Sequence, residues 1–413
     1  MKYVIIGASA AGIHAAKTLR NLDRDGQITV VSQDEKIISR CMLHHAISGK
    51  RDEKALAFVE EDWVQRYNVK WLKGTTVAEV SVSSQEIILD DGNRISYDKL
   101  LIASGAEAIL PPVRGLKDGN NVFTLRNLKD VRKIISAVDA GKSAVVIGGG
   151  LIGIDASMAL LEKNISVTII EMANRILPLQ LDCIASHRYK ELLEEKGAVV
   201  CKGVSVVEVE RREKRNTVKL NNDTAIQCDM IIVAAGVKPN KAFIDSEELK
   251  VEKGIRVNEK METTIPNIYA AGDVTGKSAI WPAAVKQGVV AASNMAGVEK
   301  YYEDYFTEKN ALNVWGLKTI SLGLIDPPDE TYRVEVFSDT DVYKKIIHKN
   351  NVIYGLIFQG DISRIGFWSQ LIKEKIVIDF SYEDIFSLQY ADFYKIDSIG
   401  NYVTPINHNK VFV

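Results

Sequence analysis

Two glycine-rich turns in one chain of 413 residues constrain the fold more than any other feature of the sequence. The first lies in YVIIGASAAGIHAA at residues 3–16, and the second lies in VVIGGGLIGIDAS at residues 145–157. Each follows a run of strand-forming residues and precedes a stretch with helical spacing, so each predicts a strand, a tight turn and a helix. Such a turn holds the pyrophosphate of a dinucleotide at the helix N-terminus. Because one dinucleotide needs one loop, the second loop indicates a second dinucleotide.

The second loop fits the pattern completely. Gly148, Gly150 and Gly153 fill its three glycine positions, and the next predicted strand ends at Glu171. A carboxylate there can accept hydrogen bonds from ribose hydroxyls and would repel a 2′-phosphate. No arginine follows it immediately, although Arg175 could still reach the same place. We therefore predict a dinucleotide site that favours NADH over NADPH, with an accidental glycine turn as the alternative.

The first loop is less regular, with Gly7, Ser9 and Gly12 at the three positions. Serine is the mildest departure from glycine, because its small side chain still allows a close approach and adds a hydroxyl group.

The acid that should follow the first loop is missing from its expected place. Aligning ITVVS with VTIIE puts Ser32 where Glu171 stands. Asp34 and Glu35 come just after it, and we predict that Asp34 takes the ribose role. The alternative is that both acids are solvated loop residues.

A third motif, TTIPNIYAAGDVTG at residues 263–276, predicts a strand that ends at Gly272 and Asp273. An aspartate at the end of a strand and the start of a helix is well placed to bind hydroxyl groups of a ligand. The alternative is an ordinary helix N-cap.

Composition excludes several classes of protein. A net charge of −2 gives no general attraction to nucleic acid, and no apolar run is long enough to span a membrane. We see no export signal and expect a cytoplasmic protein. The four cysteines, Cys41, Cys183, Cys201 and Cys228, are scattered, which disfavours a zinc site or an iron–sulfur cluster. We predict no metal site.

The motifs, taken in order, resemble the FAD- and NAD(P)-dependent pyridine nucleotide–disulfide oxidoreductase superfamily. The resemblance covers nearly the whole chain: the first loop, LLIASGA at 100–106, the second loop, AAGVKPN at 234–240 and the AAGD block. Within the superfamily the chain is most similar to NADH:rubredoxin reductases and to the N-terminal flavoprotein part of nitrite reductases. Their small C-terminal domain resembles ALNVWGLKTISLG and YKKIIHKNNVIYGLIFQGDIS.

This resemblance implies an α/β fold with two Rossmann-like three-layer nucleotide-binding domains and a small α+β C-terminal domain. The FAD-binding domain comprises residues 1–112 and 241–305, and the NAD-binding domain, residues 113–240, interrupts it. Two prolines in LPPVRG at 110–115 mark the crossing, and residues 306–413 form the small domain.

The resemblance also assigns residues to the two cofactors. It implies that FAD contacts Gly7, Ser9, Gly12, Asp34, Arg40, Arg126 and Asp273. It implies that Gly148, Gly150, Gly153, Glu171 and Gly236 line the NAD side. The further predicted cofactor-binding residues are Ala10, Ala11, Glu35, Val77, Ser104, Gly105, Leu151, Ile152 and Gly272. The stretch WPAAVKQG at 281–288 matches the helix whose start faces the flavin ring.

The implied function is an FAD-dependent NAD(P)H oxidoreductase that prefers NADH. Hydride would pass from NADH to flavin N5, and the electrons would then pass to a rubredoxin- or ferredoxin-type protein or to a partner redox subunit. Without a C-x-x-C or C-x-x-x-x-C pair, disulfide reduction of the glutathione or thioredoxin type is disfavoured.

Two alternatives stay open. Cys41 stands near the redox thiol of NADH peroxidases, NADH oxidases and coenzyme A–disulfide reductases, although the residues after it differ from theirs. A redox thiolate would need a lowered pKa, from Arg40 or His44. The other alternative is a flavoprotein that binds or signals with little turnover.

Overall fold

The structure is a computed structural model that describes residues 1–213, 215–244, 249, 253–277, 280–303, 309–378, 384–396, 398–399 and 402–403. It divides into two compact units. The larger unit is Met1–Met172 with Gly197–Glu303, and the smaller unit is Ala173–Lys196 with Asp304–Val413.

The helices are α1 (Ala10–Leu22), α2 (Leu43–Ser48), α3 (Trp63–Arg66), α4 (Leu128–Ala140), α5 (Leu151–Leu161), α6 (Cys183–Glu195), α7 (Trp281–Met295) and α8 (Ile365–Lys373). Short 3-10 turns occur at Arg40–Met42, Asp273–Thr275, Ile385–Ser387 and Tyr390–Phe393. Among the helices of the described residues, none is both long enough and apolar enough to cross a bilayer.

The strands of the larger unit are β1 (Lys2–Ile6), β2 (Gln27–Ser32), β3 (Val69–Lys73), β4 (Val77–Ser81), β5 (Glu86–Leu89), β6 (Arg94–Ser96), β7 (Lys99–Ile102), β8 (Ala106–Ala108), β9 (Val122–Thr124), β10 (Ser143–Ile147), β11 (Ser166–Glu171), β12 (Val199–Lys202), β13 (Val206–Arg212), β14 (Arg215–Leu220), β15 (Ala225–Cys228), β16 (Met230–Val233), β17 (Val237–Pro239) and β18 (Ile268–Ala270). Those of the smaller unit are β19 (Lys309–Val314), β20 (Leu317–Gly323), β21 (Arg333–Ser338), β22 (Tyr343–Lys349), β23 (Val352–Gln359), β24 (Lys395–Ile396) and β25 (Tyr402–Val403).

Two parallel sheets of the larger unit share the arrangement of four strands, β7-β1-β2-β3 and β16-β10-β11-β12, whereas the fifth strand comes last in the chain in one sheet and first in the other. The first runs β18-β7-β1-β2-β3, and the second runs β9-β16-β10-β11-β12. Their central strands, KYVII and SAVVI, are buried over their last four residues, as expected for parallel strands covered on both faces. The predicted duplication of a whole nucleotide-binding unit is therefore present in the topology as well as in the glycines.

The smaller sheets repeat the same plan. The antiparallel sheet β4-β5-β6 has its counterpart in β13-β14-β15, and a turn at Asp91 and Gly92 joins β5 to β6. Strands β8 and β17 follow the two loops SGA and AGV and pair with each other antiparallel. This two-stranded ribbon therefore connects the segment that follows β7 of the first parallel sheet with the segment that follows β16 of the second.

The smaller unit is an antiparallel sheet in the order β19-β20-β23-β22-β21, with α8 packed on β23. Its core contains Leu356, Phe358, Phe367, Trp368 and Leu371. The small α+β C-terminal domain that the resemblance implies is confirmed. Residues 173–196, which include α6, cluster with this unit. The proposed boundaries at 112, 240 and 305 stay a prediction.

Candidate functional site

A cavity of about 720 Å³ opens beside the first glycine loop, within the larger unit. Of the residues predicted to bind cofactor, those that line it are Gly7, Ser9, Ala10, Ala11, Asp34, Arg40, Val77, Ser104, Gly105, Arg126, Gly272 and Asp273. Among the described residues, Gly12 and Glu35 and the residues of the second loop do not line this cavity. Motifs that are far apart in the chain therefore supply the wall of one cavity.

The two loops have matching backbone hydrogen bonds. Gly7 N–H donates to Val31 at 2.8 Å, and Gly148 N–H donates to Ile170 at 2.8 Å. Ser9 and Gly150 occupy the N-cap positions of α1 and α5, and neither makes a side-chain capping bond. The first N–H groups of both helices are therefore left for a ligand, which suits an anion.

The glycine geometry fits a bound pyrophosphate. A Cβ atom added at Gly12 or Gly153 would lie 1.9 or 1.8 Å from the carbonyl oxygen of Gly7 or Gly148, so only glycine allows each helix to pack on its loop. At Gly150 an added Cβ would meet no atom within 4 Å. The space beside this glycine is open, as the approach of a phosphate group requires.

Asp34 and Arg40 form an ion pair on the cavity wall. Arg40 Nη2 lies 2.5 Å from Asp34 Oδ2, and Arg40 Nη1 donates to the carbonyl oxygen of Arg126 at 2.6 Å. Burial lowers the pKa of Arg40, while the Asp34 carboxylate acts in the opposite direction. The pair brings a cation and a hydroxyl acceptor to the same wall. Ser32 is buried, and its hydroxyl donates to the Asp34 carbonyl oxygen at 2.8 Å, so it supports this turn.

Asp273 faces a second arginine. Arg126 Nη2 donates to Asp273 Oδ2 at 2.6 Å, and Arg126 Nε donates to the Ala106 carbonyl oxygen at 3.0 Å. The structure differs from the predicted strand-to-helix junction: Asp273 starts a 3-10 turn, and α7 starts only at Trp281. Gly272, at φ +82°, is the N-cap of this turn. The N-cap alternative for Asp273 is therefore wrong.

The Glu171 side chain contacts the backbone of the second glycine loop. Gly149 N–H donates to Glu171 Oε2 at 2.7 Å, so the carboxylate lies beside the glycine turn. Arg175, the cation that could have reached a 2′-phosphate, lies 2.7 Å from Asp326 in an ion pair of the smaller unit. Gly236, at φ +97°, accepts a hydrogen bond from Ile109 N–H at the β8–β17 ribbon.

Cys41 lines the cavity, and its surroundings raise the pKa of its thiol instead of lowering it. Burial raises its pKa above the ordinary value, the carboxylates of Asp155 and Asp273 raise it further, and Arg126 opposes them. The lowering that a redox thiolate needs is therefore not found. All four cysteines are free, so no disulfide partner is present.

The sequence interpretation missed Asp155, the only charged residue of α5. His44 Nδ1 on α2 lies 3.5 Å from Asp155 Oδ2. An acid in the otherwise apolar helix LIGIDASMALL was the available signal, because a charge among apolar residues needs a partner. Trp281, the first residue of the segment expected to face the flavin ring, lies on the cavity wall and packs edge-on against Phe58, with ring centroids 4.7 Å apart.

The described residues contain no group of three or more His, Cys, Asp or Glu side chains placed to hold a metal ion. The site is thus built from glycine turns, two arginine–carboxylate pairs and aromatic walls, a set of groups suited to a large ligand that carries phosphate and hydroxyl groups.

Comparisons with known proteins agree with this geometry. A family model described as pyridine nucleotide-disulphide oxidoreductase matches residues 1–288. A second, described as rubredoxin NAD⁺ reductase C-terminal domain, matches residues 309–376. The predicted resemblance and the predicted fold class are both confirmed.

Individual relatives cover most of the chain. An NADH oxidase of Methanocaldococcus jannaschii is 35% identical over 73% of this chain and 72% of its own length. NADH-dependent phenylglyoxylate dehydrogenase subunit epsilon of Aromatoleum evansii is 30% identical over 91% of this chain and 92% of its own. The solved structure of NADH:rubredoxin oxidoreductase from Clostridium acetobutylicum has a TM-score of 0.76 and 26% identity, covering 93% of this chain and 97% of that one.

Proposed function

The chain belongs to the pyridine nucleotide-disulphide oxidoreductase family as an FAD-dependent NAD(P)H oxidoreductase, and we propose that it passes electrons from NADH through FAD to a small electron-transfer protein of the rubredoxin class. The observation that carries the choice of acceptor is the match of residues 309–376 to the C-terminal domain of rubredoxin NAD⁺ reductases. Rubredoxin is an acceptor of the Clostridium acetobutylicum enzyme by its name, and for this chain it is a proposal.

FAD occupies the cavity beside the first loop in this proposal. The N-terminus of α1, with Ser9 at its N-cap position on the cavity wall, receives its pyrophosphate, and Arg40 and Arg126 supply positive charge to the same region. Asp34 accepts hydrogen bonds from the adenosine ribose, and Asp273 accepts them from the ribityl chain. Asp34 is favoured over Glu35 because Asp34 lines the cavity and Glu35 does not.

NADH occupies the second loop, with its pyrophosphate at the N-terminus of α5 and its adenosine ribose at Glu171. NADPH is disfavoured for two reasons. Its 2′-phosphate would meet the Glu171 carboxylate, and Arg175 is already paired with Asp326.

When bound, FAD supplies the acceptor for a hydride from NADH and then the donor of electrons to the next protein. The residues of this chain bind and orient the two cofactors. Trp281 supplies an aromatic surface on the cavity wall, and Phe58 packs edge-on against it. The Arg126–Asp273 pair fixes the position of a cation and an acceptor on the cavity wall.

The direct test is anaerobic reduction of the purified protein. We expect a yellow protein with about one FAD per chain, bleached by NADH within seconds and by NADPH much more slowly. The reduced protein should then reduce an added rubredoxin faster than hydrogen peroxide, oxygen or coenzyme A disulfide. A colourless protein that takes up no FAD, or a reduced protein that ignores every one-electron carrier, would refute the proposal.

Cys41→Ser separates this function from the single-cysteine one. Because the pKa of Cys41 is raised, the thiol is protonated at neutral pH, and we expect the variant to reduce the carrier at a rate within about twofold of the original. Loss of peroxide or coenzyme A–disulfide turnover in the variant, with a fast rate in the parent, would support the thiol-based function instead.

A second candidate has its own support. The 30% identity to a subunit of phenylglyoxylate dehydrogenase spans nearly the whole of both chains. This favours a role as the NADH-reactive subunit of a larger redox complex. Affinity purification from native extract tests it: a redox subunit recovered in equal amount would favour the complex, and a chain recovered alone would favour the free reductase.

A further inference from the structure

A histidine and an aspartate connect α2, which lies just after the cavity-lining Arg40 and Cys41, to α5, the helix that follows the second glycine loop. α2 packs against α5 within the larger unit. His44, in the first turn of α2, lies 3.5 Å from Asp155 on α5, and His45 lies beside His44 with ring centroids 4.0 Å apart. The Nδ1 atom of His45 is buried and has no hydrogen-bond partner. Three titratable side chains thus meet between one helix of the proposed flavin half and the helix of the NAD loop.

The surroundings of Asp155 favour protonation of its carboxylate near neutrality. About a third of the Asp155 side chain is exposed to solvent, yet the surrounding protein desolvates the carboxylate and raises its pKa to about 7. Burial, followed by the neighbouring His45, lowers the pKa of His44 to about 4. The two values belong to the pair rather than to single residues. At a pH between these two pKa values, the His44–Asp155 pair holds one titratable proton and is neutral. Above the higher pKa, the pair carries one negative charge.

Other charged groups around the pair are accounted for. Lys50 lowers and Glu162 raises the pKa of His44, and these two residues form their own ion pair at 2.5 Å. Arg51 lowers the pKa of His45. α4, which also packs on α2, carries Asp130, whose carboxylate accepts from the Arg126 and Asn127 N–H groups. The remaining charged residues of α4 are exposed: Lys129, Arg132, Lys133 and Asp139.

The pair acts on the cavity through Cys41. The Asp155 carboxylate raises the pKa of the Cys41 thiol, which lines the cavity, so its charge is felt at the wall where the flavin is proposed to lie. The electrostatic potential of the Asp155 carboxylate acts on any charged group at this wall, and so it also acts on a flavin bound there.

We propose that His44 and Asp155 are a positioning pair that takes up one proton from solvent when electrons enter the bound flavin, and so keeps the summed charge of the flavin and the pair constant. This inference rests on the proposed function. NADH delivers two electrons and one proton together as a hydride, which leaves the flavin ring one unit more negative, and NAD⁺ leaves with the opposite charge. A proton from solvent then neutralises the Asp155 carboxylate, and oxidation by the acceptor releases it.

The test compares the holoprotein with Asp155→Asn, which keeps the shape and removes the proton site. The flavin midpoint potential is measured against pH, between about pH 7 and pH 8.5. We expect the potential of the parent to fall more steeply than that of the variant, by about 30 mV per pH unit, which corresponds to one proton per two electrons. Reduced-minus-oxidised infrared spectra should show the carbonyl stretch of a protonated carboxylic acid in the parent and not in Asp155→Asn.

Two controls make the outcome decisive. Glu162→Gln removes a carboxylate at the C-terminal end of α5, at the same junction, and it should keep the slope and the infrared band of the parent. His44→Asn should retain the band and shift the pH at which the slope changes, which also covers the case in which Asp155→Asn fails to fold. Yellow proteins with identical slopes and no carboxylic acid band would overturn this inference alone. Failure to bind FAD would overturn the proposed function and this inference with it.

Discussion

Arg126 and Asp273 form an ion pair at 2.6 Å although 147 residues separate them in the chain. Both side chains are largely buried, and both line the cavity. Arg126 also donates to the main chain at Ala106, so the guanidinium is fixed by two partners. The pair therefore joins, on the cavity wall, the segment that follows β9 to the segment that follows β18.

Replacing Asp273 by Asn should weaken FAD binding about tenfold or more, because a charge-assisted hydrogen bond contributes roughly 1.5–3 kcal/mol and a factor of ten corresponds to 1.4 kcal/mol. The measurement is the dissociation constant of FAD from the reconstituted apoprotein, by quenching of flavin fluorescence. Glu61→Gln is the control, because Glu61 forms an ion pair with Lys54 at 2.7 Å on the surface. Equal FAD affinity in the Asp273 variant and the control would contradict the assigned role.

Two glycines of one loop should behave differently when each is replaced by alanine. Gly153→Ala puts a Cβ atom against the Gly148 carbonyl oxygen, so α5 must move, and we expect a loss of about 1–3 kcal/mol in the free energy of unfolding. Gly150→Ala meets no protein atom and should fold normally, but its methyl group enters the space proposed for the NADH pyrophosphate.

The distinguishing measurement for these two variants combines urea denaturation with NADH kinetics. Gly150→Ala should raise the KM for NADH several-fold at unchanged stability, whereas Gly153→Ala should lower stability. A Gly150→Ala protein with the parent's KM would argue against nucleotide binding at the second loop.

Much of this fold could be predicted because its signals are local. The two glycine-rich loops, the β-branched runs and the turn at Asp91 and Gly92 can each be recognised from a few neighbouring residues. The second nucleotide-binding unit then repeats the order of elements found in the first. The contacts that complete the site are not local. Lys50 and Glu162, for example, lie 112 residues apart and meet only because α2 packs on α5.

The features that differ from the sequence predictions, or that those predictions missed, have physical reasons. Asp273 was expected to open a helix, but Gly272 turns the chain at positive φ into a 3-10 turn that ends before α7. Asp155 was overlooked because its partner, His44, belongs to a different motif. The clustering of residues 173–196 with the small domain was also hidden, since nothing in their hydrophobic pattern distinguishes them from the preceding unit.

Glu171→Gln should relax the preference for NADH. Glutamine keeps an oxygen that can accept from Gly149 N–H, but it removes the charge that would oppose a 2′-phosphate. We expect the ratio of kcat/KM for NADH to that for NADPH to fall about tenfold, which corresponds to 1.4 kcal/mol. Glu191→Gln, at an exposed pair with His187, should leave the ratio as it is. An unchanged ratio in Glu171→Gln would show that another group selects the nicotinamide.

The smaller unit is held by a buried carboxylate that the sequence does not reveal. Asp182 accepts from Ala185 N–H at the start of α6, from Tyr343 Oη at 2.5 Å and from Lys345 Nζ at 3.0 Å. Asp182 and Lys345 are both buried. Burial and the adjacent Asp182 carboxylate raise the pKa of Tyr343 above its ordinary value. One side chain thus caps α6 and neutralises the lysine of β22.

Asp182→Asn should destabilise this unit by about 3 kcal/mol or more, because it leaves the Lys345 ammonium in a buried place without its nearest opposite charge. Tyr343→Phe should cost only about 1 kcal/mol, since it removes one hydrogen bond and leaves the ion pair in place. Denaturant unfolding followed by the fluorescence of Trp368, which is buried in the core of this unit, measures both changes. Losses of equal size in the two variants would mean that the hydrogen bond from Tyr343, rather than the charge of Asp182, stabilises the α6 segment.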